Sequence, residues 1–358
     1  MKLKYRKRAL RYNLITYGMV IFFYVLWEIM MNTGNMSSLM KGMLVSLCYY
    51  SMLAVSLNLV VGISGELSLG HAGFMCIGAF TGAIFAMTIG AALPGWLELL
   101  IAIILGALVS AAFGFLIGIP VLRLRGDYLA IVTLAFGEII KNVINVVYFG
   151  IDSRGPHISF KDSLSLGLEP DGVTIIKGAQ GISRLPRNAT FTLGIILLLI
   201  SLFIVLNLIN SRHGRAIMAI RDNRIAAESI GISASKYKML AFVIASSIAG
   251  VAGVLYSHNL STLQSTSANF GYNQSIMILV FVVLGGIGNI RNSVIAATIL
   301  TILPEKLRFL DDYRMLIYAV VLIAMMLFNS APSAIEFRAR MASKFARRKN
   351  GAEVDDER

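Results

Sequence analysis

The chain has 358 residues, of which 57% are hydrophobic and 14% charged, with a net charge of +13 and a mean hydropathy of +0.75. A soluble globular domain carries roughly 25% charged residues, so this composition excludes that class and indicates a polytopic membrane protein. The positive charge does not indicate nucleic-acid binding. Its lysines and arginines stand in short hydrophilic pieces between apolar runs, where they set the orientation of membrane helices.

The apolar runs predict an all-α membrane protein with about ten transmembrane helices, some of them broken or re-entrant. The first run, Leu14 to Met31, is longer than a usual signal-peptide core and has no small-x-small cleavage site, so we expect it to be retained. Runs of roughly 20 apolar residues are long enough to cross the bilayer. The predicted spans are 14–31, 42–62, 68–89, 96–119, 128–149, 189–210, 238–257, 273–288, 291–306 and 313–330.

Lysine and arginine in the short loops predict the orientation of these spans. The basic loops alternate with nearly uncharged ones, and an even number of spans places both termini in the cytoplasm. For the long outside loop, the alternatives are a lid or docking site and a disordered connector. The predicted organisation is a basic cytoplasmic amino terminus at 1–13, a transmembrane region at 14–330 with an outside loop at 150–188 and a cytoplasmic loop at 211–237, and a basic then acidic cytoplasmic tail at 331–358.

Glycine and serine recur in the predicted spans in two ways. A stripe on the fourth span favours close packing of helix backbones in lipid, with a pore role as the alternative. Two stretches that look alike, VVGISGELSLGHAG (60–73) and VVLGGIGNIRNS (282–293), predict broken helices. Broken helices at matching positions in two halves point to a transporter site. The stripe on the fourth span consists of Gly106, Ser110, Gly114 and Gly118, and Gly78 and Gly82 add a second pair.

Motifs for catalysis are missing from the sequence. It contains no G-x-x-x-x-G-K-[ST] phosphate loop, no H-E-x-x-H and no G-x-S-x-G. The four histidines are scattered, without the spacing of metal ligands. We therefore expect a chain that is not an enzyme and that binds no cofactor, metal or nucleic acid itself.

Ionisable and polar residues within the spans are candidates for a translocation route, because they are costly in lipid. Glu138 lies near the middle of the fifth span, three residues before Lys141, and Asn142 extends the polar edge. The alternatives are a buried ion pair between helices, a lining role in the route, or a protonation site of a proton-coupled secondary transporter. In contrast, Glu98 lies near a span end and is predicted to be interfacial.

A second group of candidates surrounds the first glycine stretch. Glu66, Ser68 and His71 follow Gly65, where the chain reopens into a helix, and Asn58 precedes them by about two turns. The amino terminus of a half-helix offers free N–H groups and a positive dipole end, which suit a carboxylate.

Four long motifs resemble the LivM-type permeases of branched-chain amino acid ABC transporters. They are SLNLVVGISGELSLGHAGFMCIGAFTGAI, GDYLAIVTLAFGEII, GAQGISRLP and GRAIMAIRDNRIAAESIGISASKYKMLAFVIASSIAGVAG, and the resemblance covers nearly all of residues 40–330. It implies an importer in the bacterial inner membrane, with an external binding protein, a second homologous permease and two cytoplasmic ATPases that use ATP and Mg²⁺. Related permeases for urea and short amides share much of the pattern, and a non-transporting membrane protein is the alternative from another class.

The resemblance also implies that segment 211–237 is the loop that receives the ATPase. Importers often read E-A-A-x-x-x-G there, whereas this chain has Ile225 in place of the glutamate. Asp222 or Asn223 is expected to cap a short helix, with Ile220, Ala227 and Ile230 on one face. The residues expected to couple to the ATPase are Arg221, Arg224, Ala226, Ala227, Glu228 and Gly231.

Overall fold

The computed structural model describes residues 2–33, 38–124, 126–170 and 172–307, and a few positions between 313 and 323. One compact unit covers residues 1–301, and a second begins at Ile302. Within the described residues, seven helices are long and apolar enough to cross a membrane. The helices are α1 (Lys2–Asn32), α2 (Ser38–Asn58), α3 (His71–Met87), α4 (Gly95–Val121), α5 (Asp127–Val146), α6 (Phe191–Asn210), α7 (Arg212–Asp222), α8 (Arg224–Ser229), α9 (Ala234–Ser257), α10 (Ser267–Phe270), α11 (Tyr272–Gly285) and α12 (Ile290–Lys306).

Seven of the predicted spans are confirmed as membrane-capable helices: α1, α2, α4, α5, α6, α9, and α10 together with α11. The spans predicted at 68–89 and 291–306 are shorter helices, α3 and α12, of 17 residues each. Most of the span predicted at 313–330, and the whole tail at 331–358, lie outside the described residues. The count of ten spans and the orientation of the termini therefore stay predictions.

The first helix extends further toward the amino terminus than predicted. The predicted span begins at Leu14, whereas α1 begins at Lys2 and continues without interruption into the apolar run. This helix packs against α6, where the rings of Tyr24 and Phe191 have centroids 5.6 Å apart. Its other faces leave large apolar side chains such as Leu14 and Phe22 exposed, as expected for a helix at the edge of a bundle in lipid.

The centre of the bundle is formed by α3, α4 and α9, which approach each other at small residues. A Cβ atom on Gly78 would lie 2.1 Å from the carbonyl oxygen of Gly250, and one on Gly106 would lie 2.3 Å from Val254. The Ser110 hydroxyl donates to the Phe74 carbonyl at 3.2 Å, which satisfies it within the bundle. The close helix packing predicted from the small-residue stripe is therefore confirmed.

The segment predicted as an outside loop contains a small sheet, which the all-α prediction missed. Strands β1 (Tyr148–Asp152), β2 (Gly155–Ser159) and β3 (Val173–Lys177) are antiparallel in the order β2-β1-β3. Two further short strands, β4 (Ile182–Ser183) and β5 (Thr262–Leu263), tie the segment to the chain before α10. The strands favour an ordered loop over a disordered connector.

Asp152 fastens the turn between β1 and β2. Burial raises the pKa of this carboxyl, but the backbone amides of Arg154 and Glu169 and the ring of His157 lower it more, so that it lies below its ordinary value. The amide of Arg154 donates to Oδ1 at 2.9 Å and the amide of Glu169 donates to Oδ2 at 3.3 Å. The carboxylate thus orders the hairpin at neutral pH.

Candidate functional site

The first glycine stretch ends one membrane-capable helix and precedes the next helix, α3, inside the bundle. Helix α2 continues as a π-helix at Leu59–Ser64, and Gly65 ends it with a φ of +75°. The amides of Gly65 and Glu66 both donate to the Val60 carbonyl. The chain then runs without helical structure until α3 begins. We call residues 59–70 the break, because π-helical turns and non-helical backbone within a membrane bundle frequently mark functional sites.

Asn58 joins the break to the second glycine stretch. Its Oδ1 accepts from the Gly288 amide at 2.8 Å, and its Nδ2 donates to the Ser293 hydroxyl at 2.7 Å. Gly286 and Gly288 have φ values of +94° and +84°, which allow the turn between α11 and α12. A Cβ atom on Gly62 would lie 2.3 Å from the Gly288 nitrogen. The two stretches that look alike in sequence therefore pack against each other.

The start of α3 is held by polar side chains from neighbouring helices. The imidazole Nε2 of His71 lies 2.7 Å from the Ser56 hydroxyl, and both groups are buried. The amide of Ala72 donates to the Ser275 hydroxyl at 3.2 Å. The free N–H groups at this helix end were expected to suit a carboxylate. One of them, the Ala72 amide, instead donates to a serine hydroxyl.

Ser68 lies within the break and is fully buried. Its hydroxyl has no hydrogen-bond partner among the described residues. The next amide, that of Leu69, donates to the Thr133 hydroxyl of α5 at 3.0 Å. Ser68 is thus the predicted route residue that retains an unused polar atom next to the amino terminus of α3.

Two cationic side chains, those of Arg221 and Lys238, contact the break. Arg221, at the end of α7, donates from Nη1 to the Gly62 carbonyl at 2.9 Å. Lys238, in the first turn of α9, pairs with Glu66, and both side chains are only 12% exposed. The sequence pattern predicted Arg221 as an ATPase contact, whereas the structure places its guanidinium on the break. Neither contact has a sequence signal, because the partners are 159 and 172 residues apart.

The ion pair predicted between Glu138 and Lys141 is confirmed. Lys141 also donates to the Ser267 hydroxyl at 3.0 Å, and the other carboxylate oxygen of Glu138 accepts from the Tyr272 amide at 2.8 Å. The pair therefore connects α5 to α10 and α11. Asn142 is exposed beside it on α5.

The predicted route residues thus form two groups. Asn58, Glu66, Ser68 and His71 all lie at the break or at its ends, as their spacing suggested. Glu138 belongs instead to the contacts that α5 makes with α10 and α11, and Asn142 is exposed on α5. Thr133 connects α5 to the break, and the sequence gave no reason to single it out.

The predicted coupling loop, residues 211–237, contains the short helices α7 and α8. Asn223 caps α8 by accepting from the Ala226 amide at 3.0 Å, and Arg224 and Glu228 form an ion pair at 2.9 Å on its surface. Gly231 follows the helix with a φ of +84°, as predicted for its end.

The faces of this loop differ from the prediction. Ala227 is buried with Ile220 and Ala234 in a small core of the loop itself. Ile230 was expected on the same face but is 74% exposed, and Ile225 is 82% exposed. The reason is that α8 ends at Ser229, so Ile230 no longer follows the helical period. The exposed apolar surface of the loop is therefore formed by Ile225 and Ile230.

Glu98, predicted to be interfacial from its place near a span end, lies in the first turn of α4 and is buried within the protein. The carboxylate is 2% exposed and accepts from Asn188 at 2.7 Å, while its other oxygen lies 2.9 Å from Nε2 of His258. The ring Nδ1 of His258 lies 2.8 Å from the Val254 carbonyl. This buried cluster joins the start of α4 to the end of α9, and the long separation of its members hid it from sequence patterns.

Seven membrane-capable helices in the part of the chain that the structure describes define a polytopic membrane protein, in which α7 packs against the break. A family model described as branched-chain amino acid transport system / permease component matches residues 39–327. The chain belongs to this family and is a multi-pass transport subunit of the cell membrane.

Individual relatives agree with this family. The high-affinity branched-chain amino acid transport system permease protein LivM of Salmonella typhimurium is 35% identical over 314 residues, which are 85% of this chain and 71% of that protein. The LivM protein of Escherichia coli K12 is 34% identical over the same shares. The nucleoside ABC transporter permease protein NupC of Lactococcus lactis is 22% identical over 58% of this chain and 63% of its own length. No solved structure matches the chain significantly.

Proposed function

We propose that this chain is the permease subunit of an ATP-driven importer for branched-chain amino acids. A binding protein outside the membrane delivers leucine, isoleucine or valine, and a homologous permease completes the route. Two cytoplasmic ATPases, which use ATP and Mg²⁺, drive the cycle. The observation that carries the proposal is the 35% identity to a LivM permease over 85% of the chain. The nucleoside permease is a more distant relative, at 22% identity.

The surface of the coupling loop supports an ATPase partner. Ile225 and Ile230 are 82% and 74% exposed on a segment that is too short and too polar to enter the bilayer. Apolar side chains of this size on a hydrophilic loop favour a protein interface, where a few buried anchors contribute most of the binding energy. We assign these two isoleucines as the anchors of the ATPase, on the same loop as the exposed Arg224–Glu228 pair.

Ile225→Glu is expected to weaken binding of the ATPase by about tenfold or more, because the charge would be buried in the interface. The measurement is the affinity of the purified ATPase for the permease in nanodiscs. The matched control is Ile89→Glu. Ile89 is 71% exposed but lies in the connection between α3 and α4, which the predicted topology places on the opposite side of the membrane. Equal losses in both variants, or no loss in Ile225→Glu, would contradict the assignment.

The transport function is tested by reconstituting the chain in proteoliposomes with the proposed second permease, ATPases and binding protein. We expect uptake of labelled leucine only when both ATP and the binding protein are supplied. Unlabelled isoleucine and valine should compete with leucine, whereas urea and nucleosides should not.

A pH gradient applied without nucleotide provides the opposing test. The proposed importer should show no uptake under this condition. Uptake that follows the pH gradient and is lost in Glu138→Gln would overturn the proposal in favour of a proton-coupled transporter. If urea competes and isoleucine and valine do not, the ATP-driven mechanism would stand, but the proposed substrate would be urea instead of a branched-chain amino acid.

A further inference from the structure

The break is connected directly to the coupling loop through Arg221. The guanidinium donates from Nη1 to the Gly62 carbonyl at 2.9 Å, in the last helical turn before Gly65. The carbonyls in the last turn of a helix lack the usual intrahelical donor, and a cation there is favourable to the helix dipole. The aliphatic part of Arg221 covers Gly65, where an added Cβ atom would lie 2.6 Å from Cγ of the arginine.

The orientation of this guanidinium is fixed by its neighbour in sequence. Nε and Nη2 donate to Oδ1 of Asp222 at 3.1 and 2.9 Å, which leaves Nη1 for Gly62. Only arginine offers several N–H donors in one rigid plane, so a lysine could hold Gly62 or Asp222 in this way but not both. The contact is therefore a specific link rather than a general attraction between charges.

The packing of the coupling loop holds Arg221 to the rest of the loop. Ile220, the residue before Arg221, is buried against Ala227 and Ala234, and Ile232 and Tyr237 pack on the same core. This core joins α7, α8 and the start of α9 into one packed unit. A displacement of the exposed isoleucines on this unit therefore displaces Arg221, because packed cores move as bodies and do not deform continuously.

We infer that Arg221 is the positioning residue through which movement of the coupling loop shifts the break. The Lys238–Glu66 pair, which is largely buried, provides the second connection between the same two parts. The inference rests on the proposed function, in which an ATPase moves the loop. It adds the particular atoms, Nη1 of Arg221 and the carbonyl oxygen of Gly62, through which that movement enters the membrane bundle.

The test uses the complete reconstituted transporter with Arg221→Gln and Arg221→Lys. The matched control is Arg215→Gln, because Arg215 is exposed on the same helix and donates to the Asn210 carbonyl at the end of α6 at 3.2 Å, away from the break. Three quantities are measured: the affinity for the ATPase, the rate of ATP hydrolysis, and the number of leucine molecules transported per ATP hydrolysed.

For Arg221→Gln we expect unchanged ATPase affinity and a fall of about tenfold in leucine transported per ATP, the size of a typical coupling between sites. Arg221→Lys should fall between this variant and the wild type, and Arg215→Gln should keep the wild-type ratio. A merely structural cap would lower the thermal midpoint without changing the ratio. The inference would be overturned if Arg221→Gln left the ratio of leucine transported per ATP unchanged. It would also be overturned if the affinity of Arg221→Gln for the ATPase fell together with that ratio.

A readout that does not require transport separates this inference from the proposed function. Hydrogen–deuterium exchange of residues 59–70 is measured in the permease–ATPase complex, with and without a non-hydrolysable ATP analogue and Mg²⁺. The analogue should change exchange in the wild type and in Arg215→Gln, and clearly less in Arg221→Gln, where only the Lys238–Glu66 pair still connects the loop to the break. That result supports the inference even if leucine is not transported. If the wild type transports leucine and its break does not respond, the inference is wrong while the proposed function stands.

Discussion

Glu98→Ala is expected to lower the free energy of unfolding by about 3–5 kcal/mol, the largest effect of any single polar substitution that we predict. The carboxylate is 2% exposed and contacts His258 and Asn188. Its removal leaves a buried imidazole and a partly buried amide without their acceptor, and each unsatisfied group costs free energy in a bundle surrounded by lipid. The measurement is thermal or denaturant-induced unfolding of the purified permease in detergent or bicelles.

The control for this prediction is Glu228→Ala. Glu228 also belongs to an ion pair, at 2.9 Å from Arg224, but its side chain is 45% exposed, and such pairs contribute about 0–1 kcal/mol. His258→Ala should cost about as much as Glu98→Ala, and the double variant clearly less than the sum, because both substitutions break the same interaction. Losses below about 1 kcal/mol in both single variants would show that the cluster does not stabilise the bundle.

Gly78→Leu is expected to prevent the close approach of α3 to α9. Even a Cβ atom at this position would lie 2.1 Å from the carbonyl oxygen of Gly250, and the clash is with backbone atoms that have no freedom to rotate away. Overpacking of this kind typically costs about 1–3 kcal/mol and more where the backbone must move. We expect Gly78→Ala to lower the unfolding midpoint and Gly78→Leu to give little folded protein, measured as the monodisperse yield after extraction.

Gly42→Ala is the matched control, because Gly42 also lies in a membrane-capable helix but, among the described residues, no atom from outside its own helix lies within 4 Å of its would-be Cβ. Alanine is the better helix former, so this variant should be as stable as the wild type or slightly more stable. A Gly78→Ala variant that unfolds at the wild-type midpoint would mean that the approach of α3 and α9 is not required.

Much of the architecture could be predicted because it depends on local patterns. Apolar length locates α4 and α6 to within a few residues, since a membrane helix must span the hydrocarbon core. The spacing of Glu138 and Lys141 predicts their ion pair, because residues three apart share a helix face. The glycine clusters at 60–73 and 282–293 predict the two interruptions, since glycine is where helices end most easily.

Other features depend on contacts between distant parts of the chain, which a single sequence does not specify. Glu98 seemed interfacial from its position near a span end, yet its partner His258 lies 160 residues later. Likewise, the family resemblance implied that Arg221 contacts a partner protein. Its contact with Gly62 could be found only after α7 was placed against the π-helix Leu59–Ser64. The prediction that Ile230 shares a face with Ala227 was wrong for a local reason. It continued the helical period past Ser229, where α8 ends.

The link through Asn58 has a consequence for how the protein is made. Its two hydrogen bonds reach residues that are 230 and 235 positions later in the sequence. At a synthesis rate of about 5–20 residues per second, roughly 10 to 50 seconds pass between the appearance of Asn58 and that of Gly288. During this interval the amide of Asn58 has neither of these two partners. The contact between the two glycine stretches can therefore form only after Gly288 and Ser293 have been synthesised, and nascent chains that end before Gly288 lack it.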